Sequence, residues 1–141
     1  MNWDRVKYFR RDEFQDPAYG PESGEMIDER LVFMLDHLRD ETGWPIITHW
    51  AVGGCVDMDG AHGHAKRSYH LAKLGCKAVD FHFSADAPLR YQYYLVSKAG
   101  FVGIGIYPDW KPCVGFHVDL RPASETQRWV CRNGEYLYLL P

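Results

Sequence analysis

No basic run, no C-x-x-C pair and no apolar stretch long enough to cross a membrane occurs in this 141-residue chain. With a formal net charge of −3, nothing in it favours nucleic acid. The lack of a basic amphipathic helix argues equally against a membrane surface. Only four cysteines are present, Cys55, Cys76, Cys113 and Cys131, and their wide spacing argues against a zinc-thiolate centre. Free thiols are expected, with two disulfides as the alternative. The opening MNWDRVKYFRRDEF is too polar for a secretory signal, so the chain is expected to stay in the cytoplasm unless another factor releases it. Repeats and low-complexity tracts are also missing. What remains is an ordinary globular composition, 46% hydrophobic and 25% charged, in one domain expected to bury roughly two thirds of its unfolded surface. Aromatics are abundant, with five Trp, nine Tyr and seven Phe. Flat rigid rings suit a groove for a sugar or a peptide, although most such rings fill cores.

Periodicity sets the expected elements. Ile27, Leu31, Met34, Leu35 and Leu38 fall on one face of a helix running from about Met26 to Thr42, with Gly43 as its stop. WPIITHWAV reads as a strand, and GGCVDMDGAHGHAKRS as an aperiodic loop. Lys77–Phe83 alternates, with Ala78, Asp80 and His82 on one face and Val79, Phe81 and Phe83 on the other. SADAP offers Ser84 or Asp86 as the cap of a second helix, with Pro88 in its first turn and Gly100 at its end. FVGIGIY, VGFHVDL and QRWVCR are β-rich, and Asn133-Gly134 predicts a hairpin into EYLYLL. The pattern predicts a single α+β domain, a mostly antiparallel sheet packed by two main helices.

Polar residues in strand cores are the unusual feature. Asp80 lies between Val79 and Phe81, where an unpartnered carboxylate would cost several kcal/mol. His117 lies between Phe116 and Val118, and Asp119 shares its face. If the two strands are neighbours, Asp80 and His117 converge, and His70 can approach from the loop. Two histidines and an aspartate so placed form a compact ligand set for Zn²⁺ with room for water; the plainer alternative is three satisfied core or surface residues. Asp57, Asp59, His62 and His64 could suggest a calcium loop or a second metal, but the full EF-hand spacing is absent and a flexible glycine loop rimming a cleft is expected. His82 reads as an exposed strand residue, or else as an extra ligand or substrate contact. Cys76 near these groups would need an activating geometry to act as a nucleophile.

Ser68-Tyr69-His70, Ala78-Val79-Asp80 and Gly115-Phe116-His117-Val118-Asp119 match an S-x-H, A-x-D, F-x-H-x-D pattern. YFRRDEF, RDETGWPIIT and FVGIGIYP extend the likeness over nearly the whole chain. The sequence resembles the zinc D-alanyl-D-alanine carboxypeptidases and phage-endolysin-like peptidoglycan endopeptidases, which share the hedgehog/DD-peptidase fold. It departs from them in a longer His70–Asp80 spacing and in Thr48-His49-Trp50-Ala51, where the family commonly carries S-G-Y-R. The resemblance implies Zn²⁺ held by His70, Asp80 and His117 in a monomer that hydrolyses peptidoglycan stem peptides. It would reach the wall through a holin or inside a virion. His49, Arg67, Ser68 and His82 are the expected substrate contacts. Asp119 is the first choice of general base and Asp109 the second, and Asp119 could equally orient His117. A zinc-stabilised binding module of the same fold is the rival reading.

Overall fold

Asp28 fixes where the first helix begins. Its carboxylate accepts hydrogen bonds from the amides of Arg30 (2.9 Å) and Leu31 (3.2 Å) in the computed structural model, which describes residues 1–48 and 52–139. An acceptor at this position satisfies amides that otherwise lack a partner and is worth about 1 kcal/mol. The helix, α1, spans Glu29–Thr42 and stops where Gly43 turns left-handed at φ 68°. Its start is three residues later than the expected helix, because the cap and not the apolar period decides it. Leu31, Leu35 and Leu38 are at most 1% exposed, each burial contributing about 1.5–3 kcal/mol. The other helix, α2, spans Leu89–Lys98 and begins at Pro88, not at Ser84 or Asp86. Proline disfavours a helical conformation in the residue before it, so the helix cannot extend back through Ala87.

Six strands form one sheet: β1 (Ile46–Ile47), β2 (Ala78–Phe83), β3 (Gly103–Tyr107), β4 (Gly115–Asp119), β5 (Gln127–Arg132) and β6 (Glu135–Leu139). Their order is β1-β2-β4-β3-β5-β6, antiparallel throughout except for the parallel β3–β5 pair. The α+β class and the mostly antiparallel sheet agree with the sequence. Among the described residues of WPIITHWAV, Ile46 and Ile47 pair, against Phe83 and His82. His49 lies outside the described residues. Asn133 and Gly134 both take positive φ, 50° and 79°, and make the expected β5–β6 turn. No helix among the described residues is long and apolar enough to cross a membrane.

Alternation then separates two faces. Val79, Phe81, Phe83, Ile104, Ile106, Phe116 and Val118 join Leu31, Leu35 and Val96 of the helices in one core. On the opposite face the register draws a row across five strands: Asp80, His117, Gly105, Trp129, Tyr138. Three glycines on this face leave room for large neighbours. The carboxylate of Asp119 lies over Gly103, the indole of Trp129 over Gly105 and that of Trp110 over Gly115, each where a Cβ would sit. G-x-G in GIGIY is therefore a spacing device that lets Trp129 reach across β3 to His117, their rings 5.2 Å apart. Gly105→Ala is expected to cost about 1–3 kcal/mol by overpacking. Chemical denaturation measures it, and a variant as stable as the parent would contradict this packing.

Candidate metal centre

Three side chains from a loop and two strands meet at one point. His70 Nε2 lies 3.1 Å from His117 Nδ1 and 3.3 Å from Asp80 Oδ1, and His117 Nδ1 lies 2.8 Å from that same oxygen. His70 and His117 each spend their other ring nitrogen elsewhere. His70 Nδ1 donates to the carbonyl of Cys55 at 3.0 Å; a carbonyl only accepts, so in the neutral ring the proton is on Nδ1 and Nε2 carries a lone pair. His117 Nε2 donates to Asp119 Oδ2 at 3.0 Å, which likewise turns a lone pair on Nδ1 inward. Two imidazole lone pairs and a carboxylate oxygen thus face one another, an arrangement that only a positive charge relieves. In the free protein that charge is a proton. Burial alone would lower the His117 pKa, but the Asp119 and Asp80 carboxylates outweigh it and raise the value to about 9. Asp80 is pushed up by burial and brought well below the usual carboxylate range by His70 and His117. These three residues could hold a metal ion.

Metal binding must then displace a proton from His117. Because the raised value belongs to the metal-free fold, affinity should climb about tenfold per pH unit on approaching pH 9 and level off above it. Metal titrations of the apoprotein between pH 6 and 10 measure this, and a flat profile would contradict the protonated cluster.

Asp119 has its oxygens fully engaged. Besides His117, it accepts from Arg121 Nε at 2.8 Å, Arg121 Nη2 at 2.6 Å and the Arg121 amide at 3.1 Å. Burial would raise its pKa, but Arg121 and His117 hold it low. It touches the nitrogen of His117 that points away from the cluster. Of its two expected roles, the geometry supports the orienting partner and not the base. Arg121 is itself clasped between the rings of Tyr69 (5.6 Å) and Trp129 (5.4 Å). Asp109 takes a different place. It is exposed, accepts from the Asn133 amide at 3.1 Å and thereby pins the β5–β6 turn; it is not among the residues lining the cleft at the cluster.

That cleft encloses about 510 Å³, and Arg67 and Ser68 line it. Arg67 is exposed at its margin, and Ser68 Oγ accepts from the His70 amide at 3.3 Å. His82 shares a face with Asp80 but is buried, not exposed, and lies outside the cleft lining; burial lowers its pKa. All four cysteines are free, and burial pushes the thiol pKa of Cys76 up, which rules against an activated nucleophile.

The glycine loop holds what the sequence did not disclose. Asp57 is fully buried, and its carboxylate accepts from the Gly60 amide at 2.7 Å and pairs with His64 Nδ1 at 2.7 Å. Its backbone brackets the first ligand: the Asp57 amide donates to the His70 carbonyl, and the Ala72 amide to the Asp57 carbonyl. His64 stacks on His70, ring centroids 4.5 Å apart and planes 5° from parallel, and lines the cleft. Burial and the neighbouring His70 lower its pKa, against the opposing pull of Asp57, so it is neutral at pH 7. Asp16, also fully buried, accepts from the amides of Ala18 and Met58, both at 2.9 Å, and from His62 at 2.9 Å. Asp16, Asp57 and His62 gather within 4.8 Å of one another, but their hydrogen bonds already staple the loop. The expected flexible rim is a hydrogen-bonded wall. D-M-D-G-A-H-G-H signalled it through acids and imidazoles, yet the decisive partner of His62, Asp16, lies 46 residues away.

Set against known protein families, curated proteins and solved structures, the chain matches none. What the protein does must therefore follow from the chemistry of these side chains.

Proposed function

We propose that the protein is a zinc-dependent peptidase with a hedgehog/DD-peptidase-like fold, acting on the stem peptides of bacterial peptidoglycan. The observation that carries this reading is the inward convergence of His70 Nε2, His117 Nδ1 and Asp80 Oδ1, with both histidine tautomers set by outer partners. Ligand atoms bound tetrahedrally at the zinc distances of about 2.0–2.1 Å stand about 3.3 Å from one another. The observed edges of 2.8, 3.1 and 3.3 Å come near that triangle. Three N/O ligands beside an open cleft suit a catalytic more than a structural zinc, since structural sites are closed by a fourth protein ligand. Zinc would supply Lewis acidity and a water whose pKa falls towards 7.

The chain's own residues supply the rest. His64 is neutral, oriented by Asp57 through Nδ1, and its free ring nitrogen can accept a proton and return it to a leaving amine. Arg67 brings positive charge to the cleft margin, suited to a substrate carboxylate. Asp119, braced by Arg121, holds His117 in its metal-binding tautomer. The protein would act as a monomer on the wall after leaving the cytoplasm, through a holin or in a virion. Incubation of the zinc-loaded protein with purified cell walls tests the proposal. New amino groups should appear, vanish with a chelator and return with zinc. Stoichiometric zinc without hydrolysis would instead mark a binding module of the same fold.

A further inference from the structure

The metal-bearing row ends in rings that the peptidase reading leaves without a task. Tyr136 and Tyr138 on β6 are 55% and 59% exposed although they line the same cleft as the ligands. Their rings are near-parallel, 6.4 Å between centroids with planes 19° apart. Tyr107 and Trp110, in the same lining, stack on each other at 4.1 Å and 14°. The indole N–H of Trp129 donates to the Tyr107 hydroxyl at 3.3 Å. The exposed rings thus share the cleft with the half-buried Tyr107 and Trp110 and the buried Trp129, at a cost in exposed apolar surface that folding alone does not require. The charged side chains of the lining, Arg67, Asp80, Asp119 and Arg121, come from other segments of the chain than β6.

We infer that Tyr136 and Tyr138 form a platform for an amino-sugar unit of the glycan to which the cleaved stem is attached. A pyranose offers a face of C–H groups to an aromatic ring and hydroxyls at its edge, which the two phenols can bond. The distance is informative. Tyr138 stands three strand spacings from His117 along one register row, or about 14 Å at roughly 4.8 Å per strand. An extended peptide covers that in about four residues. A sugar on the platform therefore brings the far end of its stem to the metal and keeps the bond next to the sugar away from it. The inference rests on the peptidase reading for its cleavage step, but the platform is testable without catalysis.

The experiment has two arms on the zinc-loaded protein. In the first, N-acetylglucosamine oligomers are titrated while the fluorescence of Trp110 and Trp129 is followed. A saturable response is expected in the parent, and its loss in Tyr136→Ala/Tyr138→Ala that still holds one zinc per chain. No response in the parent, or an undiminished one in the variant, overturns the platform. In the second, a free stem peptide and the same stem linked to its disaccharide are compared. The linked form should have at least a tenfold higher kcat/KM, cut at the distal end, and the double variant should bring the ratio towards one; a ratio of one in the parent overturns the inference. Hydrolysis of neither substrate, with the oligosaccharide response intact, would remove the peptidase reading and leave the platform standing.

Discussion

Asp80→Asn should abolish stoichiometric metal binding while leaving the chain folded. The change is isosteric, so the strand pairing with β4 is kept, and only the charge facing His70 and His117 is lost. Loss of an outer partner costs about 10–100-fold in metal affinity, and loss of a charged ligand should exceed that range. Asp119→Asn is the matched control: it removes an outer partner of His117 and should fall within about 10–100-fold. Two further signs should accompany Asp80→Asn. Zinc at about 100 times its dissociation constant should stabilise the parent by about 2.7 kcal/mol and the variant by nothing. The His117 pKa, about 9 in the metal-free parent, should drop, because one of the carboxylates that raises it is gone. The linkage has a definite sign: a raised histidine pKa contributes stability in full below its unfolded value and loses it as pH rises through the folded one. The metal-free parent should therefore lose stability between about pH 6.5 and pH 9, and the variant should lose less. Equal zinc affinity in Asp80→Asn and the parent would remove Asp80 from the centre.

His64→Gln should reduce hydrolysis by about 10²–10⁴-fold, the usual worth of a positioned general acid–base, with zinc content unchanged. Glutamine can still donate to the buried Asp57 carboxylate, so the loop keeps its bond, but it has no nitrogen able to take a proton. Zinc retention with lost turnover is what separates a catalytic group from a ligand. The pH profile adds a second readout. Burial and His70 lower the His64 pKa below 6.5, so the parent's activity should rise through a value under 6.5 as pH increases. That limb should vanish in the variant. Asp57→Asn tests the orienting carboxylate, and because Asp57 is buried and its backbone brackets His70, its effect should extend to stability. A His64→Gln enzyme with parental turnover would leave the proton transfer without an agent.

Much of this arrangement can be read before folding, and the reason differs by residue. Alternation places Asp80 and His117 on single strand faces, and the register makes them direct partners. His70 follows from S-x-H, a spacing that the turn at Ser68 explains through its hydroxyl. The Asp57–His64 pair was not legible. It sits in a stretch with no period, where Gly53, Gly60 and Gly63 take positive φ and send the chain through turns that no hydrophobic pattern encodes. Asp119 was legible both as a candidate base and as the orienting partner of His117, but the choice between them depends on Arg121 folding back over two residues. The parallel β3–β5 pair was hidden for another reason: residues 120–126 carry the chain from β4 past β3 to its far edge, and nothing local dictates the crossing. GIGIY showed that two positions on one face are empty, but only the tertiary structure shows Asp119 and Trp129 filling them.

The most direct test is crystallographic. Diffraction from zinc-loaded crystals on either side of the zinc absorption edge should give one strong anomalous peak per chain, about 2.0–2.2 Å from His70 Nε2, His117 Nδ1 and Asp80 Oδ1. A peak among Asp16, Asp57 and His62 instead, or no peak near the three proposed ligands, would contradict the account.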